Sequence, residues 1–337
     1  MNRSTISKSV PLFLLIFLSF RVCFAQKILH NQPLATTYSI VAFDENTGEM
    51  GVAVQSHWFS VGSLVSWGEA GVGVIATQSL VNPAFGTEGL ALLKEGLSPK
   101  EVVEELILSD EGRDFRQLAV LDANGQVAAY TGDKCIEAAG HIEGDGYSVQ
   151  ANMMVGDAVW ALMNKIMEST KGQPLEERLL LAMEAAEAIG GDIRGKQSAA
   201  MLIVRPKATG QPWVDKRVDL RVEDHPNPVQ EMRRLLKLHR AYAHMSEGDI
   251  AIEKGDIEGA NKAYGAAKAL FPDNLEMQYW HAIALTNVGK TEEALPIFQK
   301  IFKKSPNWRT LTARLIPNGI LQADEATLKR IIELPSQ

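Results

Sequence analysis

Cysteine is almost missing from this 337-residue chain, which has only Cys23 and Cys135. Cys23 closes an N-terminal apolar segment; once that segment is removed, a single thiol remains, and neither an internal disulfide nor a cysteine-based metal site can form. Cys135 then reads as a small buried apolar residue, with a catalytic thiol as the sharper alternative. Positive charge is also short: the net charge is −7. Nucleic acid and anionic lipid both need a basic face, so neither is expected as the main partner. Histidines His57 and His141 stand alone, without the spacing of a metal site or a triad base. Nothing in the chain implies a cofactor. Past residue 25 no apolar run is long enough to span a bilayer.

The one long apolar run, Val10 to Phe20, follows Arg3 and Lys8 and is about half the ~20 residues a membrane-spanning helix needs. Cys23-Phe24-Ala25 has the small-x-small form of a cleavage site. This reads as a secretory signal over residues 1–25, cut after Ala25. The mature protein is expected to be exported, periplasmic or extracellular, with no stable membrane insertion. Residues 26–36 would remain as a propeptide or linker. Hydrophobic residues at 46% and charged residues at 22% fit a globular protein with sizeable cores, and the length suggests two domains.

The first domain is organised around Thr37 to Asp44 and Met50 to Ser56, two apolar runs separated by Glu45-Asn46-Thr47-Gly48, which read as an antiparallel hairpin. Short strand pairs follow at Ser63 to Trp67 with Val72 to Thr77, and at Arg116 to Asp122 with Gln126 to Tyr130 across Ala123-Asn124-Gly125. Further strands are expected at Tyr147 to Met154, Ser198 to Arg205 and Val218 to Val222. Helices are expected after Asn82-Pro83, from Ser98 with capping-box spacing to Glu101, over Ala158 to Met167, and over Leu175 to Ile189 up to Gly190-Gly191. Paired strands interleaved with paired helices predict an α+β fold, a four-layer αββα sandwich over residues 37–225.

Polar residues interrupt these apolar strands. Gln78, Gln150 and Asn152 either knit strand ends together or face a ligand, since a buried amide is costly unless paired. Asn82 reads as a helix cap or a site residue. Asp192 and Arg194 form a local ion pair or a clamp for a substrate carboxylate. Gln197 and Ser198 lie at the mouth of the same strand.

Beyond Pro226-Asn227-Pro228 strand signals vanish. Gly255, Ala260, Tyr264 and Pro272 recur one period later as Gly289, Ala294, Phe298 and Pro306. That 34-residue spacing resembles the tetratricopeptide repeat (TPR). Gly248 and Ala282 take its early small position, while its usual Trp is replaced by His244 and Gln278. Residues 229–337 are therefore expected to be an all-α repeat domain offering a groove to a protein or peptide, with Val229 to Arg240 and Ala323 to Leu334 as capping helices.

Several motifs in order resemble a family of unknown function, the one numbered 1028: Thr37-Tyr38-Ser39-Ile40-Val41-Ala42, Gly51-Val52-Ala53-Val54-Gln55-Ser56, Gly71-Val72-Gly73-Val74-Ile75-Ala76-Thr77-Gln78, Gly144 to Met153, and Gly190 to Ala199. The resemblance covers Thr37 to Val222. It implies the N-terminal-nucleophile (Ntn) hydrolase superfamily, to which proteasome β subunits belong, and makes Thr37 the nucleophile. A free amine on Thr37 would titrate near pH ~8 and could take the hydroxyl proton. Asn152 is expected to help steady the oxyanion. Gln55, Gln78, Asn82, Gln150, Asp192, Arg194, Gln197 and Ser198 are the candidate substrate-binding residues. In this chain residues precede Thr37, so the Thr36-Thr37 bond must be cut. Gln55 also stands where proteasome-like enzymes carry an Asp. Two functions are thus expected: an exported amidohydrolase or peptidase acting on a small amide or peptide, or a non-catalytic binding module on the same fold. The oligomeric state is left open.

Overall fold

The structure, a computed structural model, describes residues 34–335. The expected signal segment 1–25, and residues 26–33 of the expected propeptide or linker, lie outside the described residues. The chain divides into two compact units, one ending at Arg233 and the other running from Arg234.

The first unit holds eleven described strands in two antiparallel sheets. One contains β1 (Leu34–Ala35), β5 (Gly73–Leu80), β6 (Arg116–Asp122) and β7 (Val127–Thr131) in that order, with β4 (Ser66–Glu69) also on β5. The other has the order β11 (Lys216–Val222), β10 (Ser198–Val204), β3 (Met50–Ser56), β2 (Thr37–Phe43), β9 (Tyr147–Ala151), β8 (Gly140–Gly144). Alternation along the strands makes the architecture. Val41, Val52, Val54, Ala200 and Leu202 of the second sheet share one buried cluster with Val74, Ala76, Ala119 and Leu121 of the first, so the sheets meet through this core.

The opposite faces carry helices. On the first sheet, α1 (Ala84–Lys94) and α2 (Pro99–Ser109) bury Phe85, Leu90, Val102 and Leu106 with Ile75, Leu118 and Val120. Ser98 and Glu101 cap α2 reciprocally, as their spacing predicts. On the second sheet, α3 (Ala158–Ser169) and α4 (Leu175–Ala188) pack on β9, β8, β3 and β2. A Cβ on Gly51 of β3 would lie 2.8 Å from Leu179 of α4, so that strand needs glycine for the helix to approach. A one-turn helix, α5 (Pro212–Asp215), joins β10 to β11.

Beyond these elements the described chain is helical: α6 (Pro228–Glu253), α7 (Ile257–Leu270), α8 (Leu275–Asn287), α9 (Thr291–Lys304), α10 (Asn307–Arg314) and α11 (Glu325–Ile332). The boundary between units falls inside α6, not in the Pro226-Pro228 linker, because Pro at the first helical position starts a helix that continues. The sequence repeat is visible in the backbone: α7 and α9 start at 257 and 291 and end at 270 and 304. Gly255 and Gly289, just before them, both have φ near +75° (74° and 78°). Tyr264 and Phe298 are both buried.

Gly86 gives a test of packing. Glycine inside a helix ordinarily costs up to ~1 kcal/mol relative to alanine. Here a Cβ would fall 2.2 Å from the Trp67 ring, whose Nε1 is fixed by a hydrogen bond to Leu64 O. Gly86→Ala is therefore expected to lower stability by about 1–3 kcal/mol, read from the urea midpoint at unchanged slope.

Candidate functional site

Hairpin register decides what stands beside Thr37. The turn after β2 returns the chain so that Thr37 pairs with Ser56, Tyr38 with Gln55, and Ser39 with Val54. Thr37, Ser39 and Val41 face the other sheet, whereas Tyr38 faces the helices, its hydroxyl 2.7 Å from Glu187 Oε1 on α4. Burial, reinforced by the Glu187 carboxylate, holds the Tyr38 phenol well above its ordinary pKa, so it stays a donor.

The chain changes sheets just before the nucleophile candidate. Ala35 pairs with Ser79 in the first sheet, Thr37 pairs with Ser56 in the second, and Thr36 makes the crossing. All three residues are fully buried. The carbonyl oxygen of Thr36 accepts hydrogen bonds from Ser56 Oγ at 2.6 Å and Arg194 Nη2 at 2.8 Å. Arg194 is itself clamped by Asp192, with Nε 3.0 Å from Oδ1 and Nη2 2.7 Å from Oδ2. Asp192 also accepts the backbone N–H groups of Arg194 and His57. A bidentate guanidinium held this way has little freedom, and its charge points at one peptide carbonyl. The Thr37 hydroxyl donates back to Ala35 O at 3.0 Å.

A buried amide network backs this arrangement. Gln117 of β6 accepts from Gln78 Nε2 at 2.6 Å and Asn152 Nδ2 at 2.9 Å, and its Nε2 donates to Thr131 Oγ1 and Ala151 O at 2.8 and 2.9 Å. Gln150 donates to Ser39 Oγ and accepts from Ser148 Oγ.

The structure thus brings together Thr37, Gln78, Gln150, Asn152, Asp192 and Arg194. Asn152 sits on the Thr37 carbonyl, with its backbone N–H at 3.0 Å, and not on the Thr36 carbonyl; Arg194 and Ser56 hold that position. Gln55 lies on the helix side with Tyr38, away from the Thr37 hydroxyl, and its buried amide has no hydrogen-bond partner. Asn82 accepts the N–H of Ala84 at the start of α1. Gln197 donates to Asp224 and Ser198 to Trp58 O, fixing loops around β10. Ser56, Gln117 and Met153, whose Sδ receives the Thr36 hydroxyl at 3.4 Å, were absent from the sequence-based set. Ser56 was findable, since the hairpin register places it across from Thr37. Among the described residues no group of three or more His, Cys, Asp or Glu side chains could hold a metal ion, and no helix is long and apolar enough to cross a membrane.

Residues 37–232 match the profile of a family described as "Family of unknown function (DUF1028)". The chain belongs to this family. A DUF1028 protein of known crystal structure, from Silicibacter pomeroyi, is 32% identical with a TM-score of 0.54; the match covers 60% of this chain and 88% of that one. Anbu, an ancestral β-subunit from Yersinia bercovieri, is 16% identical with a TM-score of 0.29, over 59% of this chain and 92% of its own. No curated protein matches. The DUF1028 match begins at Thr37, so Leu34 and Ala35, although paired in the first sheet, and the crossing residue Thr36 precede the matched stretch.

One titratable group touches the amide network. His141 Nδ1 lies 2.8 Å from Thr131 Oγ1, and burial lowers the imidazole pKa below its ordinary value. With the folded value depressed, the unfolded chain binds the proton first, so stability is present above pH ~6.5 and falls as pH drops through and below it. His141→Asn should flatten that part of the acid limb, measured as urea midpoints from pH 7.5 to 5.

Proposed function

We propose that this DUF1028 protein is an exported amidohydrolase or peptidase of the N-terminal-nucleophile kind, matured by cutting its own Thr36-Thr37 bond. The observation that carries this reading is the grip of Arg194 and Ser56 on the Thr36 carbonyl oxygen, the oxygen of the bond that must be cut. Two sheets sharing a core, each with a helix pair outside, support the four-layer αββα sandwich of that superfamily. Thr37 opens a central strand, as such a nucleophile does.

In maturation the Thr37 Oγ bonds to the Thr36 carbonyl carbon, the C–N bond to Thr37 breaks, and the hydroxyl proton passes to the released nitrogen. Arg194 and Ser56 stabilise the oxyanion formed on the way. Water then cleaves the ester, leaving a carboxylate on Thr36 and a free amine on Thr37. With a substrate amide, Thr37 Oγ attacks the acyl carbon and the new α-amine carries the proton to the leaving amine. Water releases the acyl group. The 34-residue helical repeat supports a TPR stack that binds a protein or peptide partner.

A second reading, a non-catalytic binding module, is favoured by one observation. The Thr37 hydroxyl bonds to a backbone carbonyl, with no ionisable base on it. The N-terminus of the exported protein separates the two. Sequencing and intact mass are expected to give a start at Thr37, the full leader in Thr37→Ala, and cleavage at least ~100-fold slower in Arg194→Met, a loss typical of an oxyanion donor. An active preparation that keeps residues ahead of Thr37 rejects the N-terminal nucleophile.

A further inference from the structure

We infer that the acyl side of the substrate is an extended peptide that takes the place of Leu34 to Thr36 on the edge of β5, with a small side chain required where Ala35 now lies. This deepens, and rests on, the nucleophile reading, because the leader is the one acyl group seen on the candidate site.

The edge of β5 is shared. β4 pairs with Gly73 to Ala76, and β1 pairs antiparallel with the last two residues, Leu34 opposite Leu80 and Ala35 opposite Ser79. Departure of the leader would strip partners from the Ser79–Leu80 edge, and an added strand restores them. The far wall of this slot is stiff. Arg116, fully buried, donates Nη1 to Leu80 O and is ion-paired through Nε to Asp110.

Side-chain room is set position by position. Ala35 is fully buried in the core between the sheets, in the cluster that holds Val54, Val65 and Val81, so a larger residue overfills it. Thr36 directs its hydroxyl to Met153 Sδ, and its carbonyl meets Arg194 and Ser56. Two non-glycine residues with left-handed backbone flank the leader: Ser79 at φ 74° opposite Ala35, and Met153 at φ 57° against Thr36. Such conformations are strained and persist only where their surroundings impose them. A charged grip on the carbonyl, a small second site and a strand edge together describe a peptide with a short, branched last residue and a small one before it.

The probes are acetyl-Leu-Ala-Thr with a free carboxylate, its aminocoumarin amide, and the same pair with Phe in place of Ala. They are applied to the chain prepared to begin at Thr37 behind a removable fusion, which keeps the whole DUF1028 match. Calorimetry should show acetyl-Leu-Ala-Thr binding at least ~10-fold more tightly than acetyl-Leu-Phe-Thr, the scale of overpacking a filled core. The amides should be hydrolysed with at least the same preference. Selective binding without hydrolysis supports the slot and sinks the catalytic reading. Hydrolysis with no preference for Ala leaves the nucleophile standing and overturns the slot. Absence of both binding and hydrolysis overturns the slot as well.

Discussion

The interior between the two sheets is held to one arrangement by a buried amide, Gln117. Its oxygen receives Gln78 from its own sheet and Asn152 from the end of β9, and its nitrogen reaches Thr131 and the Ala151 carbonyl. A purely apolar interface between sheets tolerates sliding, because dispersion and burial have no direction. An amide bonded to both layers does not, since any shift leaves a buried donor or acceptor bare at ~1–3 kcal/mol. The position of Thr37 follows from this lock: its carbonyl takes the Asn152 N–H, while Ser56 and Arg194 come to the carbonyl just before it.

The Arg194 grip depends in turn on Asp192. A guanidinium at this position would find better solvation in water, and only a carboxylate meeting it through two oxygens keeps it turned inward. Asp192 is buried and also accepts the His57 N–H, so it ties the end of β3 to the loop ahead of β10. The charge at the Thr36 carbonyl is thus assembled from a loop after α4, whereas the hydroxyl beside it comes from β2.

Much of this was legible in the sequence, for identifiable reasons. The Asn124-Gly125 turn, the Ser98 capping box and the alternating run at Arg116 to Asp122 are local signals, and each produced its element where expected. Asp192 with Arg194 was legible as a pair because the partners are two residues apart. β1 and β8 were not: the first is two residues long and the second, Gly-His-Ile-Glu-Gly, has almost no apolar pattern, so both exist through pairing with distant strands. Gln55 was assigned to the site from its place in a motif. Counting the strand period from Thr37 across the hairpin would have selected Ser56 and turned Gln55 to the helices. Gln117 carried the same signal as Gln78 and Gln150, a lone amide in an apolar strand, but no local pattern tells that its partners lie in both sheets.

The passage of the main chain from one sheet to the other at Thr36 has a mechanical meaning. At this point the two layers are joined by the main chain itself, as they are again along 57–65 between β3 and β4, where Val61 and Val65 lie in the shared core. A cut at this stitch would remove one tie between the layers along the seam nearest the Thr37 hydroxyl, so an uncut chain would be the stiffer form and a cut one the form better able to admit a guest.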